Sequence, residues 1–376
     1  MSALDAPDSA QRTLRQRRLE HTYALMSELG LDVLVAASTD SIQHRGNVRY
    51  LTNYSTRYGA SLAAVPVGGE PVLVVPAGSF QLGWARRTTW VVDVRPVGDF
   101  AGATVDLVRQ MTHEGAVVGL AGLENLPGAV GAQVVSALST RRFEQISDVF
   151  RLMRATKSTD EQAMVRESVR MADSVLRDVR LAAGTGMAER ELFARGAHRA
   201  ALEGAEDCFL LASAGLDTVV MPMSTGRVLE EHDILRFSVE PAAPGGMWTQ
   251  TIRVFATGAP DAQVRATCDM CVLALEQAGQ TIMPGATGGE VARSAIGILK
   301  QAAGGELGPL GHGMGLDLVE PPYLRPDDET TLKPGMVVAV HPHLTWRGVS
   351  VWIGDTFLVT DTGAERLSSV PVDICP

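Results

Sequence analysis

The sequence has little or none of several features, and each shortage excludes a class of protein. Four cysteines in 376 residues are too few for a disulfide-stapled fold and are typical of a reducing compartment. The formal net charge of -10 is opposite in sign to that of a nucleic-acid-binding surface. No apolar run is long enough to span a membrane, and the N-terminus has neither part of a secretory signal. We therefore expect a cytoplasmic protein that binds neither membranes nor nucleic acids.

The composition that remains is typical of a globular protein with two domains. Hydrophobic residues make up 45% of the chain and charged residues 20%, and its length fits about two domains. Residues 1–150 alternate strand and helix patterns, with a hairpin signal at Gly68 and Gly69, and we predict an α/β domain there. In residues 151–376 a helix cap at 159–161 opens a long helix, and strands and further helices follow. This half is predicted to be an α+β domain.

The most informative segment is Leu310–Pro322, with the sequence LGHGMGLDLVEPP. His312 stands between two glycines, and Glu320 precedes two prolines. Motifs of this kind in metallopeptidases carry a second histidine, but Val319 occupies that position here. Valine can neither transfer a proton nor bind a metal ion. The segment therefore indicates the scaffold of a metallopeptidase without its complete chemistry.

Further phrases occur in a fixed order along the chain. They are GNVRYLTNY in the first half, then KSTDE, EHDILRFSVEP, WTQTIRVFATG, LKPGMVVAVHPHL and GDTFLVTDTGAERL. Together with the histidine segment, they resemble the creatinase, prolidase and aminopeptidase P family over nearly the whole chain. The resemblance implies a pita-bread fold for the α+β domain. It also implies a homodimer whose active site is built from both subunits.

In metal-dependent members of that family, two Asp, one His and two Glu hold a pair of metal ions. When each of these five ligand positions is matched to this sequence, they fall on Val239, Gln250, His312, His341 and Gly354. Two further catalytic histidines of the peptidases fall on Met221 and Val319. Four lost carboxylates leave too little negative charge for two divalent ions, so we predict no metal and no cofactor. A single ion held by His312, His341 and a nearby Glu or His343 is the alternative.

Histidine and glutamate are the predicted catalytic groups. His312 or His341 would transfer the proton, because the pKa of imidazole lies near neutral pH. Glu240 or Glu320 would orient a water molecule or a cationic nitrogen. A structural hydrogen bond or a solvated strand end is the alternative for each. His341 and His343 are two residues apart at a strand end, and we predict that they share one face.

Four residues are predicted to bind a small-molecule substrate: Arg49, Gln250, Arg253 and His343. The resemblance implies that Arg49 of one subunit holds a substrate carboxylate in the site of the other, a task that suits a guanidinium group. Packing within its own domain is the alternative. Arg253 lies on an apolar strand, and we expect it to pair with Glu320 or Glu240.

These residues lead to the prediction of a metal-independent, creatinase-like hydrolase that cleaves a C–N bond of a small, carboxylate-bearing molecule. Creatine itself is not the expected substrate, because creatinase uses a histidine where this chain has Met221. A lyase, isomerase or cyclase with the same residues is the first alternative. A protein that binds a peptide or small molecule without catalysis is the second. An Xaa-Pro metallopeptidase comes last, because the metal ligands are missing.

Overall fold

The structure is a computed structural model that describes residues 9–217 and 224–372. It contains two compact units, residues 1–154 and 155–376. Within the described ranges, no helix combines the length and the hydropathy needed to cross a membrane.

The first unit is built on a mixed six-stranded sheet with the strand order β4-β3-β2-β1-β5-β6. Its strands are β1 (Val33–Thr39), β2 (Ala60–Pro66), β3 (Val72–Pro76), β4 (Asp93–Val97), β5 (Val117–Ala121) and β6 (Arg142–Gln145). Its helices are α1 (Ser9–Glu28), α2 (Gly46–Thr52), α3 (Ser79–Thr88), α4 (Phe100–Met111), α5 (Gly128–Ala137) and α6 (Ser147–Ala155). Strands β2 and β3 form the predicted antiparallel hairpin, and Gly68 takes the positive φ of 67° that its turn requires. The α/β prediction for this half is confirmed.

The second unit combines short sheets with four helices in the described residues. Its helices are α7 (Thr159–Ala182), α8 (Glu189–Leu202), α9 (Ala262–Thr281) and α10 (Gly288–Leu299). Its strands are β7 (Asp207–Ala214), β8 (Ile234–Ala242), β9 (Thr251–Ala256), β10 (Glu306–Leu307), β11 (Gly311–Gly313), β12 (Glu320–Tyr323), β13 (Val337–Val340), β14 (His343–Trp346), β15 (Val349–Trp352), β16 (Asp355–Val359) and β17 (Ala364–Arg366). They form sheets with the orders β7-β8-β9, β10-β14-β15 and β12-β11-β13-β16-β17.

Helix α7 begins where its sequence provides a capping box. The hydroxyl of Ser158 accepts from the backbone N–H of Glu161, and the Glu161 carboxylate accepts from the backbone N–H of Ser158. Two N–H groups that the helix leaves unpaired are satisfied in this way. The cap residue is thus Ser158, one position before the predicted cap at residues 159–161.

Strand β8 separates two environments because its side chains alternate between the faces of the sheet. Leu235, Phe237 and Val239 belong to a core that includes apolar residues of α7 and α8. Ser238 and Glu240 therefore point to the opposite face. That second face is fully buried, so any polar group on it needs a partner or a function.

The glycines beside His312 are required by the close approach of neighbouring backbones. A Cβ atom at Gly311 would lie 2.1 Å from the carbonyl oxygen of Ala339, and one at Gly313 would lie 2.2 Å from that of Pro321. Without side chains at both positions, β11 fits between β12 and β13. His312 is thereby fixed in the middle of a sheet.

Two histidines that were predicted to share one face of a strand do not belong to the same strand. Strand β13 ends at Val340, and His341 follows it directly. His343 begins β14, which belongs to the three-stranded sheet. The prediction is wrong because the chain changes sheets at Pro342, and the alternation of a single strand does not continue across that change.

Candidate active site

A row of three ring side chains runs from the five-stranded sheet of the second unit, through His341, to its three-stranded sheet. The rings of His312 and His341 are 5.4 Å apart between centroids, and those of His341 and Trp352 are 5.7 Å apart, both edge to face. The indole N–H of Trp352 donates to Nδ1 of His341 at 3.4 Å. His341 is buried, whereas His312 and Trp352 on either side are partly exposed. The central residue of the row is therefore buried, and solvent reaches the side chain on each side of it.

Both imidazoles in this row are neutral at physiological pH. Burial, together with a smaller effect of the neighbouring His312, lowers the pKa of His341 to about 3. Burial also lowers the pKa of His312, although the carbonyl of Gly313 next to its Nδ1 opposes the shift. A neutral imidazole carries one N–H donor and one acceptor nitrogen. The row therefore offers hydrogen bonds without formal charge.

The position of His341 depends on a glycine in the strand beside it. A Cβ atom at Gly354 would lie 2.8 Å from Cβ of His341 and 3.0 Å from the carbonyl oxygen of Val340. A side chain at position 354 would therefore displace the imidazole. The resemblance to the family motif predicted a metal-binding glutamate at each of these two positions. Here a larger ring at one position is matched by the absence of a side chain at the other.

Glu240 carries a buried carboxylate whose two hydrogen-bond donors are both neutral. The side-chain amide of Gln250 donates to Oε1 at 2.8 Å, and the hydroxyl of Ser238 donates to the same oxygen at 2.9 Å. Burial raises the pKa of Glu240 to about 7, although these two hydrogen bonds favour the ionised form. A carboxyl group that titrates near neutral pH suits general acid–base chemistry.

The pleat of β8 explains how a carboxylate remains beside Gln250. Counting along the family motif placed the first lost Asp on Val239, whose side chain faces the helix-covered core. Glu240 is the next residue and points to the other face, where Gln250 contacts it. This face therefore retains one carboxylate, displaced by one residue from the counted position.

Glu320 does not serve the predicted catalytic role. Its Oε2 lies 3.1 Å from Nζ of Lys157, and the side chains of both residues are almost fully buried. Its Oε1 accepts from the backbone N–H of Asp317. The carboxylate thus neutralises a buried cation and holds the turn before β12, and it is not available to orient a water molecule.

The prediction for Arg253 is wrong in its partner and in its role. Its Nη2 lies 2.8 Å from Oδ1 of Asp355, a residue that the sequence analysis did not consider. Its other donors bind the carbonyl oxygens of Ile252, Gly354 and Val370. Arg253 therefore ties β9 to β16 and to the C-terminal segment, and it has no donor left for a substrate.

Of the remaining predicted residues, His343 pairs with Trp352 across β14 and β15 and so lies beside the ring row. Nε2 of His343 bonds the hydroxyl of Ser350 at 2.9 Å, which gives this side chain a structural partner. Arg49 is a buried residue of α2 in the first unit, and its role toward a partner subunit stays a prediction. Met221, where a peptidase histidine was expected, lies outside the described residues.

The described residues do not fit a pair of divalent metal ions. Within residues 9–217 and 224–372, no three His, Cys, Asp or Glu side chains are grouped so that they could hold an ion. His312, His341 and Glu240 supply one carboxylate, and the unpartnered Oε1 of Gln250 adds only a neutral oxygen. Two divalent ions need several anionic oxygens to balance their charge. The charge balance of the described residues therefore does not fit a dinuclear metal centre.

Sequence analysis missed Ser238 and Lys157, which shape this region, and it considered Trp352 only as a residue that could line an apolar pocket. The alternation of β8 carried a signal for Ser238, because residues 238 and 240 share a face. Trp352 and Lys157 had no local signal. Their partners, His341 and Glu320, are distant in sequence and come close only in the folded chain.

Comparison with protein-family profiles gives two matches that together span most of the chain. The profile of the creatinase/prolidase N-terminal domain matches residues 18–156, and that of metallopeptidase family M24 matches residues 163–361.

The chain is similar to proteins that are named as dipeptidases and aminopeptidases. An Xaa-Pro dipeptidase of Pyrococcus furiosus is 24% identical over 360 residues, which cover 94% of this chain and 98% of that protein. A probable dipeptidase of Mycobacterium tuberculosis is 26% identical over 324 residues, which cover 82% of this chain and 84% of that protein.

Among solved structures, the prolidase of Pyrococcus horikoshii has a TM-score of 0.81 at 21% identity, with 96% of this chain and 100% of that chain covered. The X-Pro aminopeptidase of Thermotoga maritima has a TM-score of 0.84 at 21% identity, with 94% and 98% covered. The predicted family and the pita-bread fold are confirmed.

These comparisons overturn the predicted function. The prediction was a metal-independent, creatinase-like hydrolase, but the relatives are named Xaa-Pro dipeptidases and the matching profile is that of a metallopeptidase family. They give no support to a lyase. The activity that the ligand count had placed last is the one that these relatives carry, and what persists of the prediction is hydrolysis of a C–N bond.

Proposed function

Because the chain belongs to metallopeptidase family M24 and carries a creatinase/prolidase N-terminal domain, we propose that it hydrolyses the C–N bond of short Xaa-Pro peptides. The observation that carries the proposal is the similarity to an Xaa-Pro dipeptidase over 94% of the chain. The buried polar group formed by Glu240, Gln250 and Ser238 supports it, because acid–base groups are retained on the inner face of β8.

Glu240 is the residue that we assign to proton transfer. Its ionised form takes a proton from the attacking water as the water oxygen bonds to the carbonyl carbon of the substrate. The same proton then passes to the nitrogen as the C–N bond breaks, which releases an amino acid and proline. Burial raises the pKa of Glu240 to about 7, so both protonation states are accessible near neutral pH.

Release of proline from a panel of Xaa-Pro dipeptides tests this function. We expect turnover by the purified protein, measured both with added Mn²⁺ and after dialysis against a chelator, and turnover under either condition supports the proposal. The Glu240→Gln variant should lose about 100-fold or more in kcat, the usual contribution of a general base. A protein that binds these dipeptides without cleaving them under both conditions would refute it.

The pH dependence of the reaction provides a second readout for Glu240. Since the base must be ionised, kcat/KM should rise with pH and level off above a midpoint near 7. Ser238→Ala removes one hydrogen bond to the ionised carboxylate and should move this midpoint upward. An unchanged midpoint in the Ser238 variant would assign the titration to another group.

We also propose a homodimer in which Arg49 of each subunit binds the substrate carboxylate in the site of the other. The resemblance of the segment at residues 46–54 to the family supports this assignment, and a guanidinium group suits a carboxylate. Arg49→Met, which preserves much of the packing, is mixed with Glu240→Gln after dissociation and reassociation. If sites are shared, about a quarter of wild-type activity returns, because half of the dimers are mixed and each has one intact site. A mixture as inactive as its components would place Arg49 in its own subunit's site.

A further inference from the structure

A buried side-chain oxygen beside the proposed base lacks a hydrogen-bond donor in the described part of the chain. Gln250 is buried, and its Oε1 has no partner within residues 9–217 and 224–372. Its Nε2, on the same planar amide, donates to Oε1 of Glu240 at 2.8 Å, so the unpartnered oxygen lies next to this carboxylate. Native structures rarely leave a buried acceptor unsatisfied, because the loss of hydration costs free energy. The oxygen therefore indicates a donor that binds there.

The residue that carries this oxygen is fixed at its backbone and at its amide. The backbone N–H of Gln250 donates to Oγ1 of Thr356 at 3.0 Å, and this hydroxyl donates to the carbonyl oxygen of Gln250 at 2.9 Å. The contact with Glu240 holds the side-chain amide. A ligand that binds Oε1 therefore loses little free energy to the ordering of the side chain. The amide does not titrate, so the same acceptor is present at every working pH.

Thr251 provides a comparison on the opposite face of β9. Its Oγ1 is also buried without a partner in the described ranges. Thr251 pairs with Val239, whose side chain belongs to the helix-covered core. Directly opposite residues of antiparallel strands share a face, so Thr251 faces that core. Of these two oxygens, the one on Gln250 is therefore on the face that carries Glu240.

The α-amino group of an Xaa-Pro peptide is a donor that comes close to this oxygen. Standard bond lengths and angles place its nitrogen about 2.5 Å from the carbonyl carbon that water attacks. A peptide whose carbonyl carbon faces the water at Glu240 therefore brings its amino group within reach of the adjacent amide of Gln250. At neutral pH this group has three N–H donors and no acceptor, which matches an oxygen that can only accept.

We infer that Oε1 of Gln250 accepts a hydrogen bond from the free α-amino group of the bound peptide, which makes Gln250 a specificity-determining residue for substrates with an unblocked N-terminus. The inference rests on the proposed hydrolysis of Xaa-Pro peptides with Glu240 as the base. In the free protein a water molecule can satisfy the oxygen, and the amino group displaces it. A neutral amide thus recognises the substrate at a position where the resemblance to the family predicted a metal-binding carboxylate.

The test compares the cleavage of alanyl-proline with that of propionyl-proline, in which hydrogen replaces the α-amino group. We expect wild-type protein to prefer the amino substrate in kcat/KM. Gln250→Met has a side chain of similar length without an oxygen, and it should reduce this preference about tenfold or more, the value of one hydrogen bond to a charged group.

Two control variants isolate the oxygen of Gln250. Gln250→Met also removes a donor to Glu240, and Ser238→Ala removes the other donor while it leaves Gln250 in place. Ser238→Ala should therefore change the rates for both substrates alike and keep the preference. Thr251→Val removes the unpartnered oxygen on the opposite face and should keep the preference as well.

The possible outcomes separate this inference from the proposed function. Equal cleavage of both substrates by wild type, a preference that persists in Gln250→Met, or an equal loss of it in Ser238→Ala would overturn the inference and leave hydrolysis standing. Should Gln250→Met fail to fold, as judged by circular dichroism, Gln250→Asn decides, because its shorter side chain withdraws the oxygen. If wild type cleaves neither peptide, the proposed function is wrong, and calorimetric binding of the two peptides decides the inference. A preference for the amine that Gln250→Met abolishes would then support it, and equal affinities would overturn it.

Discussion

Replacing Glu240 by glutamine should make the protein more stable at alkaline pH, although it removes a buried group that makes two hydrogen bonds. The carboxyl group has an ordinary pKa of 4.5, and burial raises it to about 7 in the folded protein. Below pH 4.5 both the folded and the unfolded states are protonated, so the group has no effect on stability. Between pH 4.5 and 7 the unfolded state loses its proton first, and stability falls as the pH rises.

The size of this effect follows from the same two values. At about 1.4 kcal/mol per pH unit, the interval from 4.5 to about 7 corresponds to a loss of about 3 kcal/mol, complete above pH 7. Glutamine has the same shape and no charge, so this loss disappears. Its new N–H group can donate to Oε1 of Gln250, which is buried and has no partner in the described structure. We therefore expect a gain of up to about 3 kcal/mol at pH 8.5 and a much smaller one at pH 5.

Urea unfolding at pH 5 and pH 8.5, followed by tryptophan fluorescence and circular dichroism, measures the difference. Glu320→Gln is the matched control, because it replaces another buried carboxylate whose partner is a cation. That variant should be destabilised at both pH values. If Glu240→Gln were less stable than wild type at pH 8.5, or if it kept the wild-type pH dependence, Glu240 would not carry an uncompensated buried charge.

Three further predictions concern the supports of the site. Glu320→Gln should cost about 3–5 kcal/mol in the free energy of unfolding, because it leaves the ammonium group of Lys157 buried without its anion; a loss under about 1 kcal/mol would contradict the pairing. Asp355→Asn should cost a similar amount, since buried Arg253 loses its carboxylate, and thermal unfolding would show it as a clear drop in Tm. Gly354→Ala should cost about 1–3 kcal/mol through its clash with the imidazole, whereas Gly297→Ala, with open space on a helix, should be neutral or stabilising; equal effects in the two variants would argue against the clash.

Local patterns in the sequence predicted much of the architecture. Alternating polar and apolar residues and turn glycines indicated the hairpin of β2 and β3, and the capping sequence located the start of α7 to within two residues. These features depend on neighbours a few positions apart, so the sequence alone contains the necessary information. The ordered motifs identified the family, and the comparisons confirmed it. The function inferred from missing metal ligands was wrong, because counting ligands says nothing about what related proteins do.

The partners of buried charged groups were decided by the tertiary structure. Glu320 pairs with Lys157, 163 residues away, and Arg253 pairs with Asp355, 102 residues away. A strand pattern shows which face a side chain takes but not which distant segment packs against that face. Charged groups removed from water must find an opposite charge, and only the packed chain determines which one is within reach.

The sequence by itself placed His312 between two glycines and Glu240 directly after an apolar strand, whereas the structure puts His312 on β11 and Glu240 within β8, on the face opposite to Val239. The meeting of His341 with Trp352, and the space that Gly354 leaves for the imidazole, arose only when the strands were assembled. The physical reason is that hydrogen-bond direction and van der Waals exclusion act over a few ångströms in space. The separation of two residues along the chain does not show whether they make such contacts.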